Sequence, residues 1–172
     1  MKKHLVGSIL TSTILFTLTS VWILALNTAI IGQKAIDFVL EDQFEAEHAW
    51  QKYSGKDVLL MMADRSASEY TKNWTNALEP AYKGKIEFVP VADVSSVPGF
   101  LKGFIRSKFR DAYTYPILLD WDGQLIEHYQ CKSDIPTLVY IDKLGIVRLH
   151  IAGKGSADDI TTLRKTIDKW LK

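Results

Sequence analysis

A chain of 172 residues with one cysteine has no partner for an intramolecular disulfide. Its formal net charge of +1 excludes a global field that draws protein to nucleic acid, so no nucleic-acid partner is expected. The length suits one domain with an appendage, and much of the 47% hydrophobic content is spent in the first few dozen residues, which puts the appendage at the start.

Lys2 and Lys3 precede an uncharged run from Leu5 to Gln33. As a helix that run reaches roughly 40 Å, more than a hydrocarbon core requires. The apolar core of a secretory signal is only about 7–15 residues and ends at an Ala-x-Ala-like site. Leu24-Ala25-Leu26-Asn27-Thr28-Ala29 offers no clean site of that kind. The reading favours an uncleaved signal anchor over a cleaved signal peptide, with residues 1–33 as a transmembrane helix and residues 34–172 as the domain. The leading lysines place the N-terminus in the cytoplasm. The expectation is therefore a single-pass inner-membrane protein whose domain faces the periplasm, with the membrane as one partner.

Beyond Lys34 the chain reads as one α/β domain. Tyr53-Ser54-Gly55-Lys56-Asp57 is a turn, and Val58 to Met62 is a continuous apolar run, as a strand buried on both faces requires. A helix is predicted from Ser66, with Tyr70, Trp74, Ala77 and Leu78 as its buried face and Glu79-Pro80 as its end. Ile86 to Val91 is the next strand. After Val97-Pro98-Gly99, a second helix is expected to bury Phe100, Leu101, Phe104, Ile105 and Phe109, with Lys102, Arg106, Lys108 and Arg110 on its wet face. Ile117 to Asp120 is a strand, and Gln124 to Cys131 a short helix with Leu125, Ile126 and Tyr129 inward. Pro136 opens another strand, Asp142 to Gly145 turns it, and Val147, Leu149 and Ile151 alternate with Arg148 and His150 in its partner. The last helix starts at Ser156, with Asp159 completing an acidic capping box and Ile160, Leu163, Ile167 and Trp170 as its apolar stripe.

Ile135-Pro136-Thr137, followed by an apolar strand and Ile141-Asp142-x-x-Gly145, resembles the cis-proline hairpin of thioredoxin-like proteins, particularly the redoxin branch. Ala35 to Asp42 resembles the opening strand of redoxins, and Gly55-Lys56 the pair before their first central strand. Asp93 to Arg106 is also similar to the YtfJ group of periplasmic thioredoxin-like proteins, which lack the cysteine pair. The resemblance spans Ala35 to Lys172. It implies an α/β fold with a thioredoxin-like mixed sheet, helices on both faces, and a cis-proline loop facing the helix that carries redox cysteines.

In catalytic relatives the first central strand runs into Cys-x-x-Cys at a helix tip, where the helix dipole lowers a thiol's pKa. The matching place here is Met62-Ala63-Asp64-Arg65-Ser66-Ala67-Ser68-Glu69, without either cysteine. Ser66-Ala67-Ser68-Glu69 reads as a capping box, with Ser66 as N-cap and Glu69 at the third helical position. A serine hydroxyl does not exchange disulfides, and no histidine lies nearby in sequence to activate it. Cys131, just before the proline loop, reads first as a small buried hydrophobe. Its functional reading is a single thiol that forms mixed disulfides with a partner. The four histidines, His4, His48, His128 and His150, show no ligand spacing, and no phosphate loop is present, so neither a metal nor a cofactor is expected. Two functions follow. The first is a non-catalytic adaptor that binds a protein or extended peptide along Ile135-Pro136-Thr137. The alternative is a thiol oxidoreductase that uses Cys131 with a partner thiol.

Overall fold

In a computed structural model, residues 30–171 are described. The predicted anchor lies almost wholly outside them, and among the described residues no helix is long and apolar enough to cross a membrane.

Seven strands form one mixed sheet in the order β2-β1-β5-β4-β3-β6-β7. The strands are β1 (Val39–Asp42), β2 (Glu47–Ala49), β3 (Val58–Ala63), β4 (Glu87–Asp93), β5 (Leu118–Asp120), β6 (Thr137–Ile141) and β7 (Val147–Ala152). β3, β4 and β5 run parallel, β6 runs antiparallel to β3, and β7 runs antiparallel to β6. β3 lies centrally because both of its faces are apolar. Val58, Leu60 and Met62 enter a cluster with Phe38, Leu40, Leu125 and Tyr129. Leu59 and Met61 enter the opposite one with Trp74, Leu78, Leu163 and Ile167. Period-two geometry makes the two clusters opposite faces.

The helices are α1 (Ser68–Tyr82), α2 (Lys102–Ala112), α3 (Gln124–His128) and α4 (Ala157–Trp170). α1 and α4 cover one face, and α3 sits on the other. The capping box at α4 is present in both directions, Ser156 with Asp159. The hairpin turn is also as predicted: Gly145 has φ +76°, and Asp142 Oδ1 accepts the Leu144 and Ile146 N–H groups.

Several elements differ from expectation. Pro80 does not end α1, which continues to Tyr82. Near a helix end a proline forfeits only one backbone bond, and the buried Tyr82 donates its hydroxyl to Asp168 Oδ1 of α4 at 2.7 Å, holding the last turn in place. The opening strand begins at Val39: residues 35–38 form no strand, with Ala35 N–H bonded to Gly145 C=O and Phe38 buried in the cluster under β3. α3 stops at His128, where Gln130 takes a positive φ of 50°. The largest difference is α2. Phe100 is 86% exposed and Phe104 is 59% exposed, while Ile105 and Phe109 alone of the predicted apolar face pack on Ala92, Val94, Ile117 and Leu119. Arg106, expected in solvent, folds over the Trp121 ring and bonds Glu41 and Glu45. Two acidic partners and an aromatic face turn the helix so that its arginine packs inward and its leading phenylalanines outward.

Candidate functional site

The register sets the site. Met62 pairs with Thr137 across β3 and β6, so the residues just beyond, Ala63-Asp64 and Ile135-Pro136, lie at the same end of the sheet. The tip of α1 and the proline loop are thus brought together, as the resemblance implies.

Asp64 joins them. Its Oδ1 accepts the Ala67 N–H at 2.7 Å, and its Oδ2 accepts the Asp134 N–H at 3.0 Å. The Asp64 carbonyl also accepts the Ser68 N–H at 3.0 Å, the first turn of the helix. Asp64 is therefore the capping residue, and the predicted role of Ser66 is corrected. Ser66 lies two residues further on, in the turn leading into α1, with only its carbonyl engaged, by the Glu69 N–H, and no side-chain cap forms at Ala67. Glu69 follows in the first turn without bonding back. Aspartate caps as well as serine does, and its second oxygen reaches a loop that a serine hydroxyl could not serve simultaneously.

The bond into Pro136 is trans, which corrects the expected cis-proline: the described residues contain no cis peptide. The reversal comes two residues before the proline, where Asp134 adopts a left-handed φ of 66°. Aspartate tolerates that region, and trans is the cheaper isomer for an X–Pro bond. The loop is then held from behind. Pro136 C=O accepts the Gly153 N–H at 3.0 Å, and Gly153 C=O accepts the indole N–H of the fully buried Trp74 at 3.0 Å. Asn73 adds a bond to Lys154 C=O at 2.8 Å. Gly155, at φ +76°, lets this loop approach α1, since a Cβ there would lie 2.9 Å from Asn73 Cβ. Ile135 is half-buried, and among the described residues its backbone N–H and C=O take no part in any of these bonds.

Cys131 lies beneath the loop, not on it. Its thiol points at Met62 Sδ, 3.6 Å away, within the apolar cluster under β3. Burial pushes the thiol up to about 12; the Thr137 hydroxyl opposes this, and the carboxylates of Asp93 and Asp120 reinforce it. A thiol so protonated at neutral pH is a poor nucleophile. Asp120 is itself buried and raised by desolvation, against the N–H groups of Ile126, Leu125 and Gln124 that it caps. Among the described residues no three His, Cys, Asp or Glu side chains gather as metal ligands.

The site residues not anticipated from sequence are Asp64, Asp134 and Met62. The first two carried a usable signal: an aspartate ending a buried strand just before a helix, and another just before Ile-Pro.

Residues 31–150 match the AhpC/TSA family. No curated protein sequence matches the chain. Among solved structures, the chain is similar to a putative thiol:disulfide interchange protein DsbE from Chlorobium tepidum at 23% identity and a TM-score of 0.61, over 83% of this chain and 98% of that one. It is similar to the exposed lipoprotein thioredoxin Etrx1 of Streptococcus pneumoniae at 22% identity and a TM-score of 0.58, over 76% and 98% of the two chains. Yeast Sco1 matches at 14% identity and a TM-score of 0.58, over 81% and 97%. These likenesses establish a thioredoxin-like fold.

Proposed function

The chain belongs to the AhpC/TSA family, and on that premise we propose that it is a member without thiol chemistry, acting as a binding or adaptor module. The reading carries the anchor with it, its end drawn back from Gln33 because Ile30 packs on the core and Gly32 and Gln33 bond Val147: the preceding apolar residues hold the domain outside the cytoplasm, at the periplasmic face of the inner membrane. The observation that carries the proposal is Asp64. Where redox relatives place a reactive cysteine pair, this chain places a carboxylate already committed to two N–H groups. A dithiol needs two sulfurs at the helix tip, and here there is none.

What the site offers a partner is backbone. Ile135 presents an N–H and a C=O at the edge of a braced loop, and an extended peptide pairs with such groups as a short added strand. Phe100, in the turn before α2, and Phe104, in its first turn, are further exposed apolar surface for a protein partner. The test is partner capture by the full membrane-embedded chain. Ile135→Pro deletes the backbone donor and should abolish capture, whereas Ile135→Val should retain it; equal capture by both refutes the loop as the binding element.

The alternative, a single-thiol oxidoreductase, draws on structural neighbours such as DsbE, described as a thiol:disulfide interchange protein. The burial of Cys131 against Met62 weighs against it. Insulin reduction or peroxide consumption that disappears in Cys131→Ser would establish it and displace the adaptor reading.

A further inference from the structure

We propose that the end of the domain carrying Ile31 and the β6–β7 turn rests in the interfacial layer of the bilayer, so that the domain is seated on the membrane rather than suspended from it. The inference rests on the anchor reading of residues 1–33.

The first support is a short tether. The uncharged run extends from Leu5 to Gln33, yet the chain is already part of the domain at Ile30, which packs on the core cluster under β3. Gly32 N–H bonds Val147 C=O at 2.8 Å, Val147 N–H bonds Gln33 C=O at 2.9 Å, and Ala35 N–H bonds Gly145 C=O at 2.8 Å. Crossing the hydrocarbon takes about 20 residues of residues 5–29, leaving about five before Ile30. Fully extended, five residues reach about 17 Å, and the headgroup layer on one side occupies about 5–8 Å of that. The remaining reach, about 9–12 Å, is well short of a domain's diameter, so the end that carries Ile30 stays beside the headgroups.

The second support is what the structure exposes at that attachment. Leu144, at the tip of the hairpin turn, is 72% exposed, and Ile31, at the tip of the turn before Lys34, is 54% exposed. Both lie on turns joined by the bonds above, and neither contributes to a core cluster. Lys34 adds a long, exposed cationic side chain beside them. Apolar turn tips beside a lysine match the interfacial layer, where side chains enter the acyl boundary and an ammonium group meets anionic headgroups. The braced proline loop lies at the other end of β3 and β6, since Val58 pairs with Ile141 beside the turn and Met62 with Thr137 beside the loop. Seating one end turns the binding end outward.

The experiment uses the full chain in nanodiscs of phosphatidylcholine and phosphatidylglycerol containing lipids spin-labelled high on the acyl chain. A fluorophore is placed on Leu144→Cys or, as control, on Phe100→Cys; a parent chain without either substitution reports any labelling of Cys131. Loss of fluorescence with the Leu144→Cys label and none with the Phe100→Cys label is the expected result. A chain that inserts into discs while the Leu144→Cys label stays bright overturns the seating and leaves the anchor standing. Quenching at position 100 instead seats the molecule on the turn before α2 and overturns it too. A chain that stays out of the discs overturns the anchor and the inference together.

Discussion

Replacing Asp64 with alanine removes the acceptor for two N–H groups in one step. The bond from Oδ1 to the Ala67 N–H, 2.7 Å, is a helix cap, and losing such a cap costs about 1 kcal/mol. The bond from Oδ2 to the Asp134 N–H, 3.0 Å, closes the proline loop onto the helix, and an ordinary bond of this kind contributes about 1 kcal/mol net. The Asp134 N–H is exposed and can turn to water, whereas Ala67 is fully buried, so its N–H loses its acceptor outright and the two contributions set a minimum. That minimum is about 2 kcal/mol, and for a domain of this size each kcal/mol moves the midpoint by about 2–4 °C, so Tm should fall by at least about 4–8 °C. Ser66→Ala is the matched control. Its hydroxyl makes no bond among the described residues, and the change should stay within about 0.5 kcal/mol. Thermal unfolding followed by near-ultraviolet circular dichroism reads both variants. Equal losses, or a larger loss for Ser66→Ala, would refute the assignment of the cap and of the clamp.

Four further outcomes are expected. Iodoacetamide should leave Cys131 unmodified in the native protein at mildly alkaline pH and modify it in urea, because burial holds the thiol near about 12; prompt native labelling would contradict its placement. Desolvation raises Asp42, but the His48 bond and the Ala46 and Phe44 N–H groups outweigh it and hold the carboxyl below 3.8, so its contribution is present at neutral pH and is lost as pH falls through that depressed value. Urea unfolding between about pH 5 and pH 2 should show a steep acid limb that Asp42→Asn flattens. Tyr140→Phe removes the hydroxyl that donates to the buried Asp57 Oδ1 at 2.7 Å and leaves that oxygen unpaired, a loss of about 1–3 kcal/mol in urea titration. Phe100→Ser and Phe104→Ser, at positions the helical period assigns to the core, should each change stability by under about 0.5 kcal/mol, since the structure leaves both rings in solvent.

The central sheet was legible because its signals are redundant. Five consecutive apolar residues in β3 bury on both faces, and the Asp142–Gly145 turn and the Ser156–Asp159 box each fix their own geometry locally. α2 was misread because periodicity reports which residues share a face, not which face meets the sheet. Arg106 settled that through Glu41 and Glu45, which lie more than sixty positions away in sequence. The tip of α1 was half legible. A cap was foreseen there, but two good capping residues stand two positions apart, and only the distant Asp134 N–H selects Asp64 over Ser66. The reversal before Pro136 failed for a related reason. A proline in that setting suggests a cis bond, while the left-handed Asp134 reverses the chain two residues upstream.

The bonds joining Gly32–Ala35 to Gly145–Val147 also protect the sheet margin. β7 is the outermost strand on its side, and its first residue would otherwise hold an N–H and a C=O open to any passing strand. The tether segment occupies both groups of Val147. A version truncated to begin at β1 would expose that site as a template, and cross-strand aggregation, rather than loss of the core, is the failure to anticipate when the domain is produced without its leading residues.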